Sequence, residues 1–128
     1  MSEERSNFTP SGWHTITPRI VVNDASGLVD FINQVFGGIP TFSADAPTIV
    51  KIGDSTLMIS EAITRAQANA FLYVYLQDVD EIYKRAIGAG ALSIEEPGDL
   101  PYGDRRAMVK DNWGNTWQIA THKFLNKA

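Results

Sequence analysis

The stretch PYGDRRAMVKDNWGNTWQIATHK, Pro101 to Lys123, is the densest patch of chemistry-bearing residues in this chain. It holds Arg105, Arg106, Trp113, Trp117, His122 and two aspartates, Asp104 and Asp111. Such a mixture suits an active site, a metal centre or a well-built β-hairpin, and spacing has to choose between them. The two histidines, His14 and His122, lie at opposite ends of the chain, and no Ser-His-Asp or general-acid pair is recognisable by spacing. Each histidine reads as a half-exposed group bonded at a strand end, and no catalytic residue is assigned. Glu61, Glu95 and Asp104 are the carboxylates that remain as mildly suggestive bases. Arg105 is expected to pair locally with Asp104. The chain has no cysteine, which removes disulfides, thiolate metal sites and a thiol nucleophile together.

The elements that must position these groups follow from the pattern of the chain. At 128 residues, 44% apolar and 20% charged, it reads as one domain with a core large enough to fold alone. A net charge of −4 and the lack of any Lys/Arg-rich run argue against a nucleic-acid partner. The lead-in MSEERSNFTPSG is polar, and no apolar run approaches the roughly 20 residues that span a bilayer. No membrane partner and a cytoplasmic location are therefore expected. Residues 1–12 read as a mobile arm and 13–123 as the domain.

TITPRIVV (Thr15 to Val22) is β-branched and reads as a strand. Asp24 then caps a helix whose Leu28, Phe31, Ile32, Val35 and Phe36 recur at helical spacing until Gly37-Gly38. IPTFSAD, PTIVKIG and STLMISE follow as short strands, with Gly53-Asp54 as a hairpin turn, and 61–69 is a polar connector. The pattern then starts again. AFLYVYLQ is a strand, Asp78 caps a helix striped by Val79, Ile82, Tyr83, Ala86 and Ile87, and strands follow at about 92–96, 105–110 and 115–121. Asp24 and Asp78 stand 54 residues apart, each between a strand and a helix. The fold class is thus α+β: two β-α-β-β-β repeats, about 14–60 and 70–122. One such unit leaves a sheet face bare. Two copies can form a curled mixed sheet around a shared cavity, helices outside.

This duplicated pattern, with DASGLVDFINQVFGG after the first strand, resembles the vicinal oxygen chelate (glyoxalase/bleomycin-resistance/dioxygenase) superfamily. The ending YGDRRAMVKDNWGNTWQIATH is similar to that of its PhnB-like, glyoxalase-like branch, and the resemblance covers about residues 14–123. It implies the fold far better than the function, because the superfamily hosts isomerases, dioxygenases, epimerases, thiol transferases and drug-binding resistance proteins. Enzymatic members typically hold a divalent metal with His and Glu from four strands, as a Lewis acid toward vicinal oxygens of the substrate. The matching positions here are Thr17, seven residues before Asp24, and Phe71, seven before Asp78. Gln118 stands where the DxxGxxxE-type pattern counted from Asp111 expects Glu, and Met58 follows from aligning STLMIS with NTWQIA. Neither imidazole nor carboxylate remains there, and a one-residue slip supplies none either. The resemblance therefore implies no metal ligands and no cofactor in this chain.

A cavity would be lined by one parity of each strand. On the second repeat's first strand the choice lies between Phe71, Tyr73 and Tyr75 and the alternate set Leu72, Val74 and Leu76. The aliphatic set suits the helix side, which puts the aromatics in the cavity with Met58 and Gln118. Arg19 shares the parity of Thr17, and Arg106 that of Met108; either arginine can meet an anionic ligand group. Tyr102 is expected at the cavity entrance. Trp113 either flanks the pocket mouth, buries in a dimer contact or packs its own turn, and Trp117 reads as core. Phe8 and Trp13 of the arm are candidates to cover a partner subunit, since homodimers with interface pockets are common in the family. The expected function is metal-independent binding of an apolar or aromatic small molecule, antibiotic-like compounds included. The alternatives are a glyoxalase-like lyase or isomerase with a non-standard site, and a structural or regulatory module with a small collapsed cavity.

Overall fold

The structure, a computed structural model, describes residues 8–44 and 46–123. The first repeat runs β1 (Arg19–Val22), α1 (Ala25–Phe36), β2 (Ile39–Thr41), β3 (Thr48–Ile52) and β4 (Ser55–Glu61). The second runs β5 (Phe71–Tyr75), α2 (Val79–Gly88), β6 (Leu92–Asp99), β7 (Asp104–Lys110) and β8 (Thr116–His122). Each repeat makes its own four-stranded sheet in the same order, β1-β4-β3-β2 and β5-β8-β7-β6. In both, the first and last strands pair in parallel and the other pairs are antiparallel. Among the described residues no helix is long and apolar enough to cross a membrane.

The local chemistry repeats with the topology. Asp24 and Asp78 both adopt left-handed backbone, with φ of 65° and 61°. Each side chain accepts the backbone N–H three residues on, from Gly27 and Glu81, at 3.2 Å. Aspartate is among the few non-glycine residues that tolerate this conformation, and its carboxylate closes the helix N-terminus. α1 ends on Gly37, whose φ of 72° no branched residue would adopt; its N–H bonds Asn33 and that of Gly38 bonds Ile32.

Two strands differ from the sequence expectation. β1 begins at Arg19 and not at Thr15, because Pro18 has no N–H to give a ladder. Its carbonyl instead takes the Met58 N–H at 2.9 Å, so pairing starts at that point. β6 runs on to Asp99, past Pro97 and Gly98, through two register shifts that let an edge strand absorb both residues.

Strand parity divides each sheet into two faces. Ile20, Val22, Val50, Ile52, Leu57 and Ile59 of the first sheet share one core with Val109, Trp117 and Ile119 of the second. Leu72, Val74 and Leu76 pack against the same core. α1 buries six side chains, and the second repeat covers part of them. The Phe36 ring lies 4.6 Å from Trp117 and the Phe31 ring 5.9 Å from Trp113. α1 also packs on α2. The repeats are therefore joined through their helix-bearing sides. The two sheets do not close around one cavity, and each leaves a helix-free face open.

Candidate functional site

The richest polar constellation lies on the helix-free face of the second sheet, and its register explains why. Across β5, β8 and β7, Tyr73 aligns with Gln118 and Met108, and the next row is Tyr75, Ala120 and Arg106. One step further, His122 aligns with Asp104. Ala120 offers no side chain beyond Cβ, so the two phenols can cross β8 and reach β7. There the hydroxyl of Tyr73 donates to Asp104 Oδ2 at 2.5 Å and that of Tyr75 donates to the same oxygen at 2.8 Å. His122 Nδ1 lies 2.8 Å from Asp104 Oδ1. The Tyr102 hydroxyl stands 2.8 Å from that of Tyr73 and accepts from Arg106 at 3.2 Å. Arg106 also pairs with both oxygens of Glu95, at 3.2 and 3.3 Å.

Asp104 is the hub and is 1% exposed. Burial alone would push its carboxyl up, but the hydrogen bonds from Tyr73, His122 and Tyr75 override that and hold it below the ordinary carboxylate range. The phenols move the other way. Burial, then the bond to Asp104, raises Tyr73, and the bond to Asp104 is the main cause of the rise at Tyr75. The face therefore carries an anion held by protonated phenols, which makes Asp104 a poor base and Tyr73 and Tyr75 poor acids.

The sequence pairs Arg105 with Asp104, and the structure does not. Arg105 reaches Asp80 on α2 and Asp99 on β6, at 3.1 and 3.2 Å. Adjacent strand residues point to opposite faces, so the two neighbours cannot meet on one side of β7. The other suggested bases are engaged as well. Glu61 accepts the N–H groups of Asp24 and Ala25 at 2.9 and 2.8 Å and closes the start of α1, while Glu95 is held by Arg106.

Most of the tryptophan-rich part of the opening stretch is turn architecture. Asp111, 5% exposed, accepts from the backbone of Trp113 and Asn115, from the Asn115 amide and from Trp117 Nε1 at 2.8 Å. Asn115 in turn accepts the Ala70 N–H, and Asn69 donates to the Trp113 carbonyl, which fixes where β5 begins. Trp113 packs toward Phe31 and Gly27 of α1, on the helix side, and is not brought to the face that holds the phenols.

Of the other expected site residues, Phe71, Tyr73, Tyr75, Tyr102, Arg106, Met108 and Gln118 gather on the second sheet. Arg19 and Met58 are register partners on the first sheet, where Arg19 donates to Ser60 at 3.0 Å, and Thr17 precedes β1. A cleft of about 340 Å³ runs where the repeats meet, between the β3–β4 hairpin and the free edge of β5. Tyr73 and Tyr75 line it with Pro18, Leu57, Leu72 and Trp117. That volume is within the range of small-molecule pockets. Leu72, Val74 and Leu76, expected on the helix side, also line this cleft, because an edge strand shows both parities to it.

The profile of the Glyoxalase/Bleomycin resistance protein/Dioxygenase superfamily matches residues 13–119. The chain belongs to that superfamily. Among superfamily structures, TioX from Micromonospora sp. ML1 superposes with a TM-score of 0.73 at 22% identity, covering 85% of this chain and 98% of that one. A glyoxalase/bleomycin resistance protein/dioxygenase family enzyme from Burkholderia phytofirmans PsJN gives 0.71 at 20% identity, over 83% and 96%. The uncharacterized protein Rv0887c of Mycobacterium tuberculosis is 23% identical over 122 residues, covering 81% of this chain and 72% of its own length.

The positions that the resemblance matches to the superfamily's metal ligands fall at equivalent places in the two repeats. Arg19 pairs with Met58 as Tyr73 pairs with Gln118, so the two repeats correspond position for position. Thr17 and Phe71 each lie two residues earlier. A hydroxyl, a thioether, a phenyl ring and a neutral amide do not make a donor set for a hard or borderline divalent ion. Among the described residues, no group of three or more His, Asp or Glu gathers elsewhere to hold one.

Proposed function

We propose that this protein is a metal-independent binding protein of the glyoxalase/bleomycin-resistance type. It holds an apolar or aromatic small molecule, antibiotic-like compounds included, by non-covalent contact. The observation that carries this reading is the replacement of the superfamily's four metal-ligand positions by Thr17, Met58, Phe71 and Gln118. Support comes from the exposed aromatic row, where Phe71 and Tyr75 are 67% and 58% exposed on a strand that borders a cleft. Aromatic side chains left in water on a rigid strand are suited to stacking on a flat ligand.

The lyase or isomerase reading is less well supported, because each carboxylate it would draw on already holds protein groups. A homodimer fits the open faces. Arg19 and Met58 stand on one sheet and the phenols on the other, and a second copy laid across them would close a pocket from both sheets. The protein is read as cytoplasmic.

Fluorescence titration with planar natural products tests this, since Trp117 lines the cleft and should report an occupant. Saturable quenching is expected. Addition of nickel, zinc or manganese should leave both the melting temperature and the binding unchanged. Absence of saturable binding across such a panel, or binding that requires metal, would falsify the proposal.

A further inference from the structure

The direction of each hydrogen bond on the second sheet can be fixed from the donors alone. Arginine only donates and a carboxylate only accepts, so the chain between Arg106 and Asp104 has a single consistent orientation. Arg106 donates to Tyr102, Tyr102 donates to Tyr73, and Tyr73 donates to Asp104. Tyr75 gives its proton to the same carboxylate. All three phenolic protons are therefore used within the protein. What these phenols offer a ligand is hydroxyl lone pairs and aromatic ring faces, both of which carry partial negative charge.

The charges lean the same way. Glu95 neutralises Arg106, whose side chain is only 18% exposed, so that guanidinium is not presented to an anion. Asp104, by contrast, has its charge met by neutral phenols and by His122. The rings of Tyr73 and Tyr75 stand 5.3 Å apart, tilted by 52° as a V, and both hydroxyls end on this buried anion. Phe71 continues the same face two residues earlier on the strand. A cation seated over the tilted rings gains the attraction of two ring faces together with the field of the carboxylate at their hydroxyl edge.

We infer that the V of Tyr73 and Tyr75 is the seat for the cationic group of an apolar ligand, a protonated or quaternary amine whose ring system lies along Phe71. This rests on the ligand-binding reading above and narrows it to one chemical class. Arg106, the arginine of this face, is held by Glu95 and Tyr102, and the Gln118 amide beside Tyr73 offers an anion only an uncharged donor.

Three planar tricyclic probes of similar size separate the possibilities: N-methylacridinium, acridine and acridine carboxylate, titrated by calorimetry at about pH 8. The cation is expected to bind at least about fivefold more tightly than neutral acridine, with the carboxylate weakest. Tyr75→Leu should abolish the cation's advantage while acridine still binds, and Tyr75→Phe should keep most of it. Equal affinity for the cation and acridine, or tightest binding of the carboxylate, overturns this inference and leaves the ligand-binding reading standing. A preference that survives Tyr75→Leu also overturns it, because the seat is then elsewhere. Binding of none of the three overturns both. The comparison of probes on the unmodified protein decides the matter even if the leucine variant fails to fold.

Discussion

Replacing Asp104 with asparagine exchanges one oxygen for an NH2 group and removes one buried charge. The carboxylate takes three hydrogen bonds, from Tyr73, Tyr75 and His122. A bond to a charged acceptor contributes about 1.5–3 kcal/mol, and one between neutral groups about 0.5–1.5 kcal/mol. With the amide oxygen facing the phenols, those two bonds survive in weakened form, at a loss of about 1 kcal/mol each. The NH2 then faces His122, which must change tautomer or lose its bond, for about 1 kcal/mol more. Relief from burying a charge offsets part of this. In the native protein the bonds outweigh burial, because the carboxyl is held below its ordinary range. The expected net loss for Asp104→Asn is therefore about 2 kcal/mol. With an m value of about 1.5 kcal/mol per molar urea, the midpoint should fall by about 1.3 M at fixed protein concentration. The acid limb gives an independent check. A carboxyl with a depressed folded pKa contributes stability that is present above its unfolded value of about 3.9 and lost as the pH falls through the folded value. Wild-type protein should carry that acid-labile component and the variant should lack it. A midpoint unchanged by the substitution, or the same acid slope in both proteins, refutes the assignment of Asp104 as the hub.

The tyrosines make the opposite prediction at high pH. Tyr73 and Tyr75 are held above the ordinary phenol range, so their contribution is complete below about pH 10 and is lost as the pH rises beyond it. Absorbance titration of the folded protein should show fewer than its four tyrosines ionising before it unfolds, and ionisation of all four near pH 10 with the fold intact would contradict this. Gly27→Ala tests the packing of Trp113 on α1. In an exposed helix the change usually stabilises by about 1 kcal/mol. Here a Cβ would stand 2.8 Å from the Trp113 ring and 2.3 Å from Asp24 Oδ2, so the melting temperature should fall. A rise would mean that Trp113 is not seated on the helix.

Much of this molecule was determined by residues acting over a few positions. Asp24 and Asp78, the glycine stops after each helix and the period-two strands give the duplicated β-α-β-β-β order, because capping and strand alternation are local effects. Parity also separated Leu72, Val74 and Leu76 from Phe71, Tyr73 and Tyr75, because the side-chain period of a strand is fixed. The residue types at the positions that the resemblance matches to metal ligands could be read off directly, since a phenyl ring cannot become a ligand in any fold. Other features needed the tertiary structure. The apolar stripe of α1 is visible in the sequence, but the surfaces that cover it are settled only by contacts such as Phe36 meeting Trp117. Asp104 was misassigned to its sequence neighbour Arg105 because its true partners stand on β5 and β8, brought within reach by the register and by the small side chain of Ala120. Hydrogen bonds between strands far apart in sequence leave no periodic trace in the chain, and only strand pairing decides them.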